Sequence, residues 1–256
     1  MENTPRVLLI DIETAPSVGL FWDRMWDTQI IKQTKYWHLL TFSAKWLGEG
    51  KQITRGLIDY KGYKPGSDND KKMLKEIHGL LDEADIVIAQ NGDKFDIMKI
   101  NARLIYHGML PPAPFKTIDT KKVASKYFAF NSNSQDWMLQ YLGLGKKEET
   151  GGFQLWLDCE AGKNAAWKRM KSYNAHDVLG LEKLYLKFRP WVRTHPNIGM
   201  YTDKIVCPNC GSGKLQSRGF AVTKTMKYKR LHCQDCGSWS RLTRPEERDK
   251  PLVSVS

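Results

Sequence analysis

Apolar positions along this chain fall into three patterns, and each predicts a different kind of element. The first is the short branched run. Val7-Leu8-Leu9-Ile10 and Ile86-Val87-Ile88-Ala89 each place four apolar residues in a row, as strands covered on both faces do. Lys116-Thr117-Ile118-Asp119 is read as a further strand. His38 to Leu47 and Gln52 to Tyr60 read as two strands joined through Gly48-Glu49-Gly50, a turn in which glycine supplies positive φ.

The second pattern is helical. Met73, Leu74, Ile77, Leu80 and Leu81 predict a helix from about Asp70 to Asp82. Ile97, Ile100, Leu104 and Ile105 form the expected inner stripe of a helix that follows Asp96 and stops at Gly108, with Pro111, Pro112 and Pro114 beyond it. Val178, Leu181, Tyr185 and Phe188 do the same for a long helix from Lys163 to Arg189, ended by Pro190. Two shorter helices are predicted, one capped by Asp119-Thr120 and one from Asp136 to Leu142, with Asp119 and Asp136 both read as caps.

The third kind of stretch has no period. Phe21 to Trp37 reads as a long connection over a site, Tyr60 to Asn69 as a loop, and Gly151-Gly152 as the start of a flexible segment around Trp156 and Cys159. Together, strand, hairpin and then alternating helix and strand imply an α/β fold, a mixed sheet flanked by helices. Beyond Pro196 the residues become small, basic and cysteine-bearing, so a boundary is expected near residue 200, with domains at 1–199 and 200–256.

Composition adds limits. The 256 residues suffice for one ordinary domain plus something small. With 41% hydrophobic and 27% charged residues, the chain has a soluble globular composition. No stretch reaches the roughly 18 apolar residues of a membrane span. Glu2 sits where a signal peptide wants positive charge. The expected location is therefore cytoplasmic, or the host cytoplasm if the chain is viral, with no membrane partner. The net charge of +12 points to a polyanionic partner, and thus to nucleic acid.

Chemistry sharpens this. Asp11 and Glu13 end the first strand two residues apart, so they emerge on one face and repel unless a cation lies between them. Asp96 opens a helix just after a buried strand. Asp177 sits beside Val178 on the long helix, one turn after Tyr173. Four carboxylates suit two hard cations about 3.5–4 Å apart, the arrangement that drives phosphodiester cleavage. A phenol at Tyr173 could aim the attacking water.

At the C-terminal end, Cys207-Pro208-Asn209-Cys210-Gly211 and Cys233-Gln234-Asp235-Cys236-Gly237 make two knuckles around a predicted hairpin. Cys207, Cys210, Cys233 and Cys236 fit one structural Zn²⁺ as a zinc ribbon, and the complete set leaves no vacancy for His232. Lys224, Lys227, Lys229 and Arg230 crowd the hairpin among Phe220, Tyr228 and Trp239, as single-strand binding requires. Cys159 has no partner and reads as a buried or semi-buried thiol.

Asp11-Ile12-Glu13-Thr14, Gln90-Asn91-Gly92-Asp93-Lys94-Phe95-Asp96 and Tyr173-Asn174-Ala175-His176-Asp177 together resemble the three motifs of the DEDD, or DnaQ-like, 3′–5′ exonucleases of ribonuclease H-like fold. The third motif resembles the branch with a tyrosine four residues before the last acid. The likeness covers about residues 5 to 190. It implies a five-stranded mixed sheet with the first strand central, and release of nucleotides from a 3′ end with two Mg²⁺ or Mn²⁺. It further implies that Asp11 bridges both cations, Glu13 and Asp177 complete one shell, Asp96 serves the other, and Tyr173 orients the water. Asn91 and Phe95 would shape the site around the terminal nucleotide. Many relatives have histidine where Gln90 stands, and His176 falls outside the pattern as a bystander or substrate contact.

The expected function is a 3′–5′ exonuclease whose ribbon grips nucleic acid, with DNA favoured over RNA. A non-catalytic binding protein on a nuclease-like scaffold and an endonuclease of the same fold are the alternatives. The nuclease reading requires Asp177 to face Asp11, and a carboxylate cage that no basic side chain already neutralises.

Overall fold

The computed structural model describes residues 4–22 and 29–246. The chain forms two compact units, one of Arg6–Tyr185 and one that takes in the chain from Leu186. The composition shift near residue 200 thus falls inside the second unit.

The first unit runs β1 (Val7–Thr14), β2 (Val18–Leu20), β3 (Lys32–Lys35), β4 (Leu39–Trp46), β5 (Gln52–Gly56), α1 (Lys71–Asp82), β6 (Ile86–Ala89), α2 (Asp96–Tyr106), β7 (Lys116–Asp119), α3 (Thr120–Tyr127), α4 (Gln135–Tyr141) and α5 (Gln154–Glu160). The helix α6 (Asn164–Phe188) follows. Five strands form a mixed sheet in the order β5-β4-β1-β6-β7. β1 is central, antiparallel to β4 and parallel to β6. Val7 to Ile10 are all buried, which is why that run carries no polar residue. α1 buries the five residues of its predicted stripe, and Val178, Leu181, Tyr185 and Phe188 of α6 are likewise buried.

Several expectations need correction. The second strand of the hairpin is shorter than predicted, because Leu57–Asp59 turns into a 3₁₀ helix. Ile105 faces solvent at 78% exposure, while Ile100 and Leu104 carry the stripe. The cap of α4 is Ser134, whose hydroxyl accepts the Trp137 amide. Asp136 lies instead in the first turn and accepts from Gln140 and from the Lys147 amide. Asp119 does cap α3, accepting the amides of Lys121 and Lys122. The segment after Gly151-Gly152 holds the helix α5, with Leu155 and Cys159 buried. Part of the long connection is the strand β3, which pairs with β2 just before the connection begins; residues 23–28 of that stretch lie outside the described residues.

The second unit contains β8 (Leu215–Val222), β9 (Lys227–Cys233) and β10 (Trp239–Arg241), an antiparallel sheet in the order β10-β9-β8. Its sheet buries only Tyr228 and Cys233, so an apolar core contributes little to the stability of that sheet. Among the described residues no helix is long and apolar enough to cross a membrane.

Candidate functional site

β6 pairs with β1 only from Val7 to Leu9, so the far end of β1 runs past its neighbour. The start of α2 fills that gap. Asp96, its first residue, accepts the buried Ile12 amide at 3.1 Å, supplying the partner a strand would otherwise give. Asn91 shapes the approach. It takes a left-handed conformation, φ 62°, and its carbonyl accepts the amides of Lys94 and Phe95. Gln90 links Asn133 and Thr120, so it braces the loop.

From the other side comes α6. Its position is set by Gln52, which donates to the Ala175 carbonyl at 2.8 Å, and by Gln135, which donates to the Asp177 carbonyl at 2.7 Å. Asp177 is thereby turned inward and is 2% exposed. One carboxylate oxygen from each of Asp11, Glu13 and Asp177 lies within 4.8 Å of the others. Asp96 stands beside this trio rather than in it; its negative charge helps raise both Asp11 and Glu13.

The electrostatics are those of crowded anions. Burial, reinforced by Asp96, Glu13 and Asp177, pushes Asp11 well above the usual carboxylate range. Burial and then Asp177 raise Glu13 to about 7. Burial raises Asp96 to about 7 against the opposing hydrogen bond from Ile12. Asp177 is raised by burial as well, less freely because a cation faces it.

That cation is Lys147, whose Nζ lies 2.7 Å from Asp177 Oδ2. The expectation of a cage free of basic side chains is therefore not met. Neutralisation is nonetheless incomplete, since the one ammonium pairs with Asp177 alone, and Asp11, Glu13 and Asp96 still meet their crowding by holding protons at raised pKa. Burial works against the Lys147 charge, but Asp177 and the Tyr173 hydroxyl outweigh it and raise its pKa. Tyr173 hydrogen-bonds Lys147 and Asp177, and burial and the Asp177 charge lift it to about 12.

Three further side chains belong to this centre without forming part of the acid pattern in the sequence. Asn174 is fully buried and donates to Asp11 Oδ2 at 2.6 Å; it shares a helix face with Asp177 at i, i+3, a spacing that could have revealed it. Trp156 hydrogen-bonds Glu13 and meets Tyr173 edge-on at 6.4 Å. Lys147 comes from a charged loop that looks merely solvated in sequence. His176 holds that loop through the Lys146 carbonyl at 3.1 Å, which gives it a structural task.

Can these residues hold hard cations? Oδ1 of Asp177 is buried and has no hydrogen-bond partner among the described residues, and an orphaned carboxylate oxygen beside two more acids is a donor set that a divalent ion satisfies. A cleft of about 470 Å³ opens next to them, lined by Thr14, Trp37, Lys99, Phe153 and Trp156 among others. The Lys99 ammonium lies 3.7 Å from the Trp37 ring and 5.6 Å from that of Phe95, which is 37% exposed.

In the second unit, one ligand atom from each of Cys207, Cys210, Cys233 and Cys236 lies within 4.8 Å of the others. Each pair sits in a tight turn closed by a glycine at positive φ, Gly211 at 76° and Gly237 at 78°. Their amides return to the carbonyls of Cys207 and Cys233. Burial disfavours the Cys233 thiolate, yet the amides of Cys236 and Asp235 bring its pKa down to about 7. Burial raises Cys207 to about 11 and pushes Cys210 up as well, so it is the spacing of the four sulfurs that fits zinc. Cys159 is buried elsewhere, and burial raises it to about 12, as an inert thiol requires. Of the basic residues, Lys224 lies in the turn between β8 and β9, and Lys227, Lys229 and Arg230 lie on β9.

No protein-family model matches this chain, and no curated protein does. Among solved structures it is similar to a family B DNA polymerase from the hyperthermophilic archaeon Pyrobaculum calidifontis, at 14% identity and a TM-score of 0.48. The match covers 72% of this chain and 25% of the polymerase chain, so the chain spans about a quarter of the protein it resembles.

Proposed function

We propose that the Arg6–Tyr185 unit is a metal-dependent 3′–5′ exonuclease and that the cysteine-bearing unit is a zinc ribbon that grips the nucleic acid, with DNA favoured over RNA. The observation that carries this reading is the convergence of Asp11, Glu13 and Asp177 within 4.8 Å, with a buried oxygen of Asp177 left without a hydrogen-bond partner among the described residues and Asp96 beside them. The β5-β4-β1-β6-β7 order, with β1 central, is the sheet that a ribonuclease H-like nuclease requires.

Asp11, Glu13 and Asp177 would hold one Mg²⁺ or Mn²⁺, and Asp11 with Asp96 a second. When bound, such ions neutralise the scissile phosphate and ease deprotonation of the attacking water. The chain's own groups do the rest. Tyr173 stays protonated near neutral pH, so its hydroxyl can both donate and accept while it orients the water. Lys147 keeps its charge and offers counter-charge to phosphate. Asn174 fixes the Asp11 rotamer through its 2.6 Å bond. Phe95, Asn91 and the Trp37–Trp156 cleft would receive the terminal nucleotide. Water adds to phosphorus, the bond to the penultimate 3′ oxygen breaks, and a nucleoside 5′-monophosphate leaves. In the ribbon, Cys207, Cys210, Cys233 and Cys236 hold zinc, and Lys224, Lys227, Lys229 and Arg230 meet phosphates.

The test uses 5′-labelled DNA and RNA oligonucleotides with Mg²⁺ or Mn²⁺. Expected is stepwise shortening from the 3′ end, abolished by chelator and by Asp11→Ala. Cleavage of a covalently closed circle would instead establish an endonuclease. The presence of Lys147 against Asp177 favours a second reading, a binding protein without catalysis. Absence of metal-dependent shortening on every substrate would decide for it.

A further inference from the structure

Alternation along β9 sorts the ribbon's side chains onto two faces. Tyr228, Arg230 and His232 point one way, and Lys227, Lys229 and Leu231 the other. Pairing extends each set. Gln216 and Trp239 lie opposite His232, and Arg241 lies opposite Arg230. Phe220 lies opposite Lys229 and Val222 opposite Lys227. The four basic residues that cluster in sequence are therefore divided, with Arg230 turned away from Lys227 and Lys229.

The two faces differ in what covers them. On the Lys227 face, Leu231 and Ser240 line a cleft of about 520 Å³ together with Ile205, Val206 and Pro208, so the unit's own chain walls part of that face, and Arg241 reaches the edge of the same cleft. The Trp239 face holds an exposed array. Trp239 is 50% exposed, its ring 4.6 Å from His232 and 4.8 Å from the Arg230 guanidinium. Arg241 stacks over Tyr228 at 3.7 Å. The Gln234 amide reaches Gln216 Oε1 at 3.3 Å and His232 Nδ1 at 3.1 Å, which puts donors and acceptors beside the indole.

These groups discriminate between partners. An apolar protein surface or a lipid face would need contiguous apolar area, whereas Trp239 is the one exposed large apolar residue among these. Between Tyr201 and Glu246 the chain has nine Lys and Arg against three Asp and Glu, which favours a polyanion. A duplex would satisfy the guanidinium groups but hides its base faces, leaving the indole unused. An unpaired nucleotide offers both a phosphate and a π-face.

We propose that the face built by Gln216, Arg230, His232 and Trp239 is a single-strand binding platform on which an unpaired base stacks against Trp239 while Arg230 and Arg241 take adjacent phosphates. This deepens the reading of the ribbon as the substrate-gripping unit and rests on it.

The test is fluorescence anisotropy of a labelled single strand and a blunt duplex over a salt series. It uses the full zinc-loaded chain carrying Asp11→Ala to prevent degradation. Adding Trp239→Ala should weaken single-strand binding about 5- to 150-fold, leave the salt slope unchanged and leave duplex binding within about twofold. Trp239→Phe should restore most of the loss. Arg230→Gln should reduce the slope of log K against log salt by about 0.7 on single strands. Cobalt-substituted spectra of each variant show whether the cysteine site is intact, which separates lost stacking from lost folding. Single-strand binding unmoved by Trp239→Ala, or an equal loss on both substrates, overturns the platform while leaving the gripping role standing. A parent chain that binds neither substrate overturns both.

Discussion

The carboxylate centre and the cysteine centre are both donor clusters, but they are assembled in opposite ways. The acids of the first come from β1, α2 and α6, separated by up to 166 positions between Asp11 and Asp177, and a large apolar core holds them together against their repulsion. The thiols of the second come from two short turns on a sheet that buries little. In the first unit the fold makes the site; in the second the site makes the fold. A cation should therefore tune the first unit and build the second.

The strongest contrast is in dependence on the ligands. Cys210→Ala should cost most of the folding free energy zinc supplies, on the order of 10 kcal/mol. The expected readout is loss of bound zinc and of amide protection across β8 to β10, with protection of β1 and β6 unchanged. Asp11→Ala should do the reverse. Activity should fall by about 10³-fold or more, zinc content should stay, and the melting temperature should change little, because removing a buried carboxylate that its neighbours repel offsets the loss of the Asn174 hydrogen bond. A variant that lost its fold here would erase the contrast.

Lys147→Ala gives a smaller effect that sharpens the same point. Without the ammonium, Asp177 faces Asp11 and Glu13 unscreened, so the metal-free protein should melt several degrees lower and Mn²⁺ should restore most of the loss. Calorimetric scans with and without Mn²⁺ check this.

The smallest effect is with pH. Glu13 and Asp96 have folded pKa values of about 7, above their ordinary 4.5 and 3.8. Between those limits the native state binds protons that the unfolded state has released. Metal-free stability from these groups is thus present at low pH and is lost as pH rises through about 7. The Mn²⁺-induced rise in melting temperature should accordingly be larger at pH 8 than at pH 6.

How much of this was legible in the sequence follows from the same contrast. Asp11 with Glu13, and the two cysteine knuckles, are local patterns, so alternation along a strand and the spacing of a turn reveal them. The sheet was legible because Val7 to Ile10 and Ile86 to Ala89 have no polar interruption. Lys147 and Trp156 were not, because they reach the acids from a loop and a short helix whose sequences carry no period. Gly151-Gly152 concealed α5 by reading as a break, and Ser134, two residues before Asp136, took the cap assigned to the acid. The division of Arg230 from Lys227 and Lys229 was available from strand parity alone. Grouping by charge obscured it.

The most direct measurement is a titration of Mn²⁺ into the zinc-loaded chain at pH 7.5, followed by the paramagnetic signal of free ion and repeated with Asp11→Ala. Saturable binding of at least one ion that disappears in the variant, with zinc retained in both, is the predicted result. Identical binding curves for the two proteins would contradict the account, because the gathered acids would then not be holding the ion.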